Sequence, residues 1–118
     1  LPYMQKIATA IAEVPVILFA KDAHYILEEF AATNCSVIGL DWTIEPQKAR
    51  SEAPAKCLQG NLDPCVLYAD KSVIKSETEK MLRAFGTQKY ICNLGHGVYP
   101  DVDFEKAKYF IDVVQNFK

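Results

Sequence analysis

The sequence predicts an α/β fold built on a parallel sheet, and three observations predict it. Four short apolar runs each end in polar residues, segments carrying helix signals separate them, and no run alternates in the way of a half-exposed strand. Such runs suit strands buried on both faces of a parallel sheet. Strand–helix alternation implies right-handed crossovers, which bring the C-terminal ends of all strands to one rim, and functional groups are expected there.

The elements follow in order. Leu1, Met4, Ile7, Ala8, Ile11 and Ala12 keep helical spacing from the first position, with no cap before them. The first strand, Val14-Pro15-Val16-Ile17-Leu18-Phe19-Ala20, runs into Lys21-Asp22-Ala23-His24, where Asp22 is expected to cap a helix through Glu28, Glu29 and Phe30. Cys35-Ser36-Val37-Ile38-Gly39-Leu40 runs into Asp41-Trp42-Thr43, and Pro46 opens a short helix through Glu52. Lys56-Cys57-Leu58 runs into Gln59-Gly60-Asn61-Leu62-Asp63. Asp63-Pro64 is an N-cap with proline at the first helical position, and the helix from Lys71 to Phe85 is stopped by Gly86. The last strand, Lys89-Tyr90-Ile91-Cys92, ends in Asn93-Leu94-Gly95-His96-Gly97-Val98-Tyr99-Pro100-Asp101. Asp103 then caps a helix whose Phe104, Ala107, Phe110, Ile111, Val114 and Phe117 mark one apolar face.

Four strand–helix units could form a small open sheet or half of a closed (β/α)8 barrel, for which about 250 residues are typical. A helix already under way at residue 1 of this 118-residue chain, with no initiator methionine, favours the second: residues 1–118 are expected to be a single partial domain, a C-terminal fragment. With 50% hydrophobic and 24% charged residues and no low-complexity tract, the composition is globular. A formal charge of −2 and scattered lysines leave no basic stripe, so nucleic acid is not an expected partner. The apolar runs are too short to span a bilayer, no membrane association is expected, and cytosol is the default. Cys35, Cys57, Cys65 and Cys92 lack paired C-x-x-C spacing, so reduced thiols are expected; a metal site from Cys35, Cys92 and His96 is the weaker alternative.

His96 is the leading candidate for a site, because two glycines flank it at a strand end. Glycines there let the backbone approach a ligand closely or adopt positive φ, and an imidazole can bind a carboxylate or handle a proton. The plainer reading, a glycine-rich turn with a locally bonded histidine, stands beside it. Lys21 could attract an anion but sits next to Asp22, which favours a local ion pair; His24 reads as a half-exposed helix histidine. Asp63 reads as a cap, Asp41 as an acceptor for backbone amides, and Trp42 as rim packing or part of a subunit contact. Arg83 is expected to face solvent and Arg50 to be structural.

The blocks Ile17-Leu18-Phe19-Ala20-Lys21-Asp22, Gly39-Leu40-Asp41-Trp42-Thr43, Leu58-Gln59-Gly60-Asn61-Leu62-Asp63-Pro64 and Asn93-Leu94-Gly95-His96-Gly97, in this order and at these spacings, resemble the C-terminal part of the uroporphyrinogen decarboxylase family. The likeness runs over essentially the whole chain. It implies a (β/α)8 TIM-barrel carboxy-lyase of the cytoplasm, a homodimer with facing clefts, working in haem and porphyrin biosynthesis. Such an enzyme removes carbon dioxide from the four acetate side chains of uroporphyrinogen III, giving coproporphyrinogen III, without metal or organic cofactor. This chain would supply strands five to eight, and His96 would be the residue that binds the substrate; the resemblance assigns it no catalytic residue. The family's Met-Arg-Gln-Ala-Gly-Arg signature does not occur here, nor do its aspartate, tyrosine and fourth-strand serine, so the isolated fragment is expected to be inactive. Arg50 and Arg83 are the only arginines to meet a substrate with eight carboxylates, which points to the same conclusion. Two alternatives remain: a zinc- and corrinoid-linked methyltransferase of the related barrel superfamily, and a non-catalytic truncated chain that pairs with a complete subunit.

Overall fold

A computed structural model gives the structure of residues 1–11 and 13–118; Ala12, the last member of the first apolar stripe, lies outside the described residues. The elements run α1 (Pro2–Ala10), β1 (Ile17–Phe19), a 3-10 turn (His24–Ile26) leading into α2 (Leu27–Ala31), β2 (Val37–Gly39), α3 (Pro46–Glu52), β3 (Cys57–Leu62), a 3-10 turn (Pro64–Tyr68), α4 (Lys71–Phe85), β4 (Tyr90–Leu94) and α5 (Phe104–Gln115). The four strands lie side by side in chain order, all parallel. Leu18, Ile38, Leu58 and Tyr90 stand in one row across the sheet. This is the expected α/β class with its C-terminal strand ends on one rim.

Local chemistry explains most boundaries. Pro46 occupies the start of α3, where its missing N–H costs no helical bond. The Asp63 carboxylate accepts from the Cys65 N–H at 2.9 Å, and the Asp103 carboxylate from the Glu105 N–H at 2.9 Å, each satisfying an amide that would otherwise lack a partner. Gly86 ends α4 at φ 71°, a left-handed conformation that glycine adopts without strain.

Several expectations need correction. Asp22 caps no helix: it sits at φ 56°, its side chain pairs with Lys21, and the 3-10 turn that follows has no side-chain cap. The first helix runs over Pro2–Ala10 as its spacing predicts, but among the described residues of its apolar stripe only Ala8 is buried. β1 and β2 are shorter than their apolar runs, whereas β3 and β4 extend through Leu62 and Leu94, into residues read as loop. On α5 the buried positions are Phe110 and Val113; Phe104 and Ile111 are exposed.

Helices cover one face of the sheet; on the other, β2 is buried at Val37, 8% exposed, while neighbouring strands lie open. Ile38 and Leu58 are 0% exposed under α2, α3 and α4, and Leu27, Phe30, Ile74, Met81 and Phe85 close the same core. Tyr90 stacks on Phe85 with centroids 4.4 Å apart and donates its hydroxyl to the Gly60 carbonyl; burial, followed by the neighbouring Cys92, pushes its phenol well above the usual value. On the other face Ile17 is 49%, Phe19 44% and Ile91 39% exposed. Strands buried on both faces were expected, and the open face is where a further layer or the rest of a barrel would pack. No helix among the described residues is long and apolar enough to cross a membrane.

Candidate functional site

The C-terminal rim is organised around Asp41, which is buried just past β2. Its carboxylate accepts the Asp22 N–H from the end of β1, and the Thr43 N–H at 2.8 Å and hydroxyl at 2.5 Å from its own loop. Burial alone would raise this carboxyl, but the Thr43 and Asp22 hydrogen bonds and the nearby His24 outweigh it and hold the group below the usual carboxylate range. The Asn61 side-chain amide, buried at the end of β3, donates to the Asp41 carbonyl at 2.9 Å and the Ile44 carbonyl at 2.8 Å. Three strand ends are thereby fastened to the Asp41–Ile44 loop.

The fourth is fastened by shape. A Cβ added at Gly95 would stand 2.6 Å from the Trp42 nitrogen and 3.0 Å from the Asp41 carbonyl carbon, so only glycine lets β4 run in this close. The close approach is thus to protein backbone rather than to a ligand, and positive φ is not its reason, since Gly60 and Gly86 are the glycines with positive φ. Gly97 has open space around it. The following residue in the block, His96, is delivered to the rim with its ring between two aromatic side chains: Trp42 at 6.2 Å between centroids and 87°, and Phe19 at 6.3 Å and 58°. Phe19, Gly39, Gln59, Asn93 and His96 line a hollow of about 340 Å³ on the open side, a volume in the range of small-molecule sites. His96 is exposed and takes part in no hydrogen bond or ion pair among the described residues. The locally bonded reading of this histidine therefore fails.

The other candidates fall into place around it. Lys21 pairs with Asp22 at 2.9 Å, the local ion pair anticipated, and its ammonium also lies 5.6 Å from the centroid of the Trp42 ring. The Asp22 hydrogen bond and charge raise the Lys21 ammonium. His24 is half-buried with Nδ1 3.1 Å from the Thr43 hydroxyl, a contact that supports the Asp41 loop. Arg50 lies at the opposite end of the sheet, where it donates to the Lys56 carbonyl at 2.9 Å and the Lys89 carbonyl at 3.0 Å. Arg83 is on α4, paired with Glu79 at 2.8 Å. Neither arginine lines the hollow beside His96. The cysteines are free thiols, Cys35 buried and Cys65 exposed, and no three His, Cys, Asp or Glu side chains among the described residues gather as metal ligands. Cys35, Cys92 and His96 are therefore not brought together.

Sequence reasoning placed Phe19 in a strand expected to be buried on both faces and gave Phe19, Gln59 and Asn93 no role in a site, yet all three line the hollow. The signal for Phe19 was hidden, because both faces of β1 carry apolar residues and alternation cannot be read from Ile17-Leu18-Phe19. A larger groove of about 530 Å³ lies on the helix-covered side among Trp42, Pro46, Asn61 and Met81, but its buried amide, Asn61, is already satisfied.

Comparison with known proteins fits this geometry. The family model for uroporphyrinogen decarboxylase (URO-D) matches residues 1–117. The chain is 48% identical over 124 residues to a uroporphyrinogen decarboxylase of Mus musculus, and 47% identical over 119 residues to one of Salinibacter ruber. Each match covers 97% of this chain and 34% of the relative, so the chain spans about a third of the length of these curated relatives. Among solved structures, a methyltransferase from Methanosarcina mazei superposes with a TM-score of 0.82 at 18% identity, over 97% of this chain and 34% of that one, a likeness of fold alone. The parallel sheet and its helices are thus half of a (β/α)8 barrel, and the chain belongs to the uroporphyrinogen decarboxylase family.

Proposed function

We propose that these 118 residues are the C-terminal barrel half, strands five to eight, of a uroporphyrinogen decarboxylase, and that His96 binds the porphyrinogen. The observation that carries the reading is the state of His96: exposed on the strand-end rim, oriented by Phe19 and Trp42, with both ring nitrogens free of partners among the described residues. An imidazole so placed donates a hydrogen bond to a substrate carboxylate. In the proposed reaction a pyrrole ring is first protonated; the bond between the acetate methylene and its carboxylate then breaks, and its electron pair flows into the ring cation as carbon dioxide leaves. A proton taken up at the methylene carbon leaves a methyl group, and the ring gives back its own. No metal or organic cofactor is needed for that sequence.

The absence of Arg50 and Arg83 from the lining of the His96 hollow supports a division of labour, in which the arginines that a polycarboxylate requires come from elsewhere in the full chain. The open face supports it too, since the exposed Ile17, Phe19 and Ile91 are suited to packing against the other barrel strands. In this reading the whole protein acts as a cytoplasmic homodimer, and the 118 residues alone are inactive. The test is to give the full chain uroporphyrinogen III under reducing conditions. Release of carbon dioxide with formation of a tetracarboxylic porphyrinogen is expected; no release from a folded full chain would overturn the proposal.

A further inference from the structure

We infer that Trp42 is a positioning residue that acts on substrate through His96, an inference that rests on the role proposed for His96 above. The imidazole has no hydrogen-bonding neighbour among the described residues to set the plane of its ring. In metal-ligating histidines the second ring nitrogen is usually held by a carboxylate, carbonyl or water, which fixes orientation at the cost of one donor. Here the orienting contacts are aromatic. Trp42 meets the imidazole almost perpendicularly, at 87° and 6.2 Å, and Phe19 closes another side at 6.3 Å. Perpendicular and tilted ring pairs at this spacing are favoured arrangements. They hold the plane while leaving both nitrogens available to a carboxylate.

Trp42 is itself firmly held, which a positioning residue must be. Its backbone nitrogen lies against Gly95, where an added Cβ would approach to 2.6 Å, so the Trp42 backbone and the histidine loop are in close contact. The preceding residue is Asp41, whose carboxylate and carbonyl join the ends of β1, β2 and β3. The Lys21 ammonium rests 5.6 Å from the indole centroid and adds a cation–π contact. Phe19 is 44% exposed and supports the ring from an open edge; Trp42 is the half-buried partner and the stiffer wall.

The test is a double-mutant cycle in the full chain, with kcat/KM for uroporphyrinogen III as readout and the thermal midpoint recorded for each variant. Trp42→Leu is expected to lower kcat/KM about tenfold in the parent, as loosened geometry does, and by less than about twofold when His96→Ala is already present. Equal losses in both backgrounds, or no loss in the parent, would overturn the inference. If Trp42→Leu does not fold, Trp42→Phe takes its place in the cycle; a loss of about threefold that vanishes beside His96→Ala supports the inference, and one that persists overturns it. A purely structural role would lower the midpoint and carry the same loss into both backgrounds. Failure of the underlying reading is separately visible: His96→Ala alone would then leave kcat/KM unchanged.

Discussion

At the N-terminal ends of the strands, Arg50 donates to the carbonyls of Lys56 and Lys89, while the Lys56 ammonium donates to those of Thr33 and Cys35, both at 2.8 Å. At the C-terminal ends, Asp41 and Asn61 draw the loops together by bonding to the backbone, and His96 stands free among aromatic rings. Cations are thus tied to carbonyls at one end, and an imidazole without a polar partner among the described residues faces a hollow at the other. Parallel strands make such a separation natural. In a βα unit the loops after the strands converge on one rim and can vary for chemistry, while the loops before them can be given over to stability.

Four measurements would break or sharpen this contrast, in order of expected effect. His96→Ala in the full chain is expected to lower kcat/KM for the porphyrinogen by about 10–100-fold, the size of a lost charge-assisted hydrogen bond, without changing the unfolding free energy by more than about 0.5 kcal/mol. Steady-state kinetics and urea titration on one preparation read both. Arg50→Ala is expected to do the opposite: about 1.5–3 kcal/mol of stability is lost, because the Lys56 and Lys89 carbonyls lose a charged donor. Its kcat/KM per folded molecule stays within about twofold of the parent.

Asp41→Asn comes next, with a loss of about 1–3 kcal/mol at neutral pH from a weakened set of buried hydrogen bonds. The same variant tests the titration of the rim. Because the folded carboxyl is held below its ordinary value, the ionised group contributes stability above its unfolded pKa of about 3.9, and that contribution disappears as pH falls through the lower folded value. Urea titrations at neutral pH and near pH 3 should therefore show the parent losing more stability on acidification than Asp41→Asn does. Equal acid sensitivity would remove Asp41 from the account. Arg83→Ala is the smallest effect: its exposed guanidinium pairs with Glu79 within one helix and rests 5.6 Å from the Phe117 ring, so stability should change by less than about 1 kcal/mol and activity not at all.

Much of the architecture was legible because its causes are local. The Pro46, Asp63, Asp103 and Gly86 boundaries follow from rules of helix capping that act over a few residues, and the structure has each of them. Strand lengths were less legible. A run such as Val14-Pro15-Val16-Ile17-Leu18-Phe19-Ala20 is apolar throughout, so nothing in it marks which three residues will pair with β2. Asp22 misled because it has the chemistry of a cap, while its φ of 56° and its bond to Asp41 are set by a loop far along the chain. The candidate site shows the same division: the glycines around His96 drew attention to the rim, but the walls that orient its ring, Trp42 and Phe19, meet it only through the parallel register of the strands.

The most direct measurement pairs His96→Ala with Arg50→Ala in the full chain and reads turnover of uroporphyrinogen III and unfolding free energy for both. The account expects the effects to cross, with turnover falling only in the first and stability only in the second. If both variants lost activity in proportion to stability, the contrast between the two ends of the sheet, and with it the binding role of His96, would be contradicted.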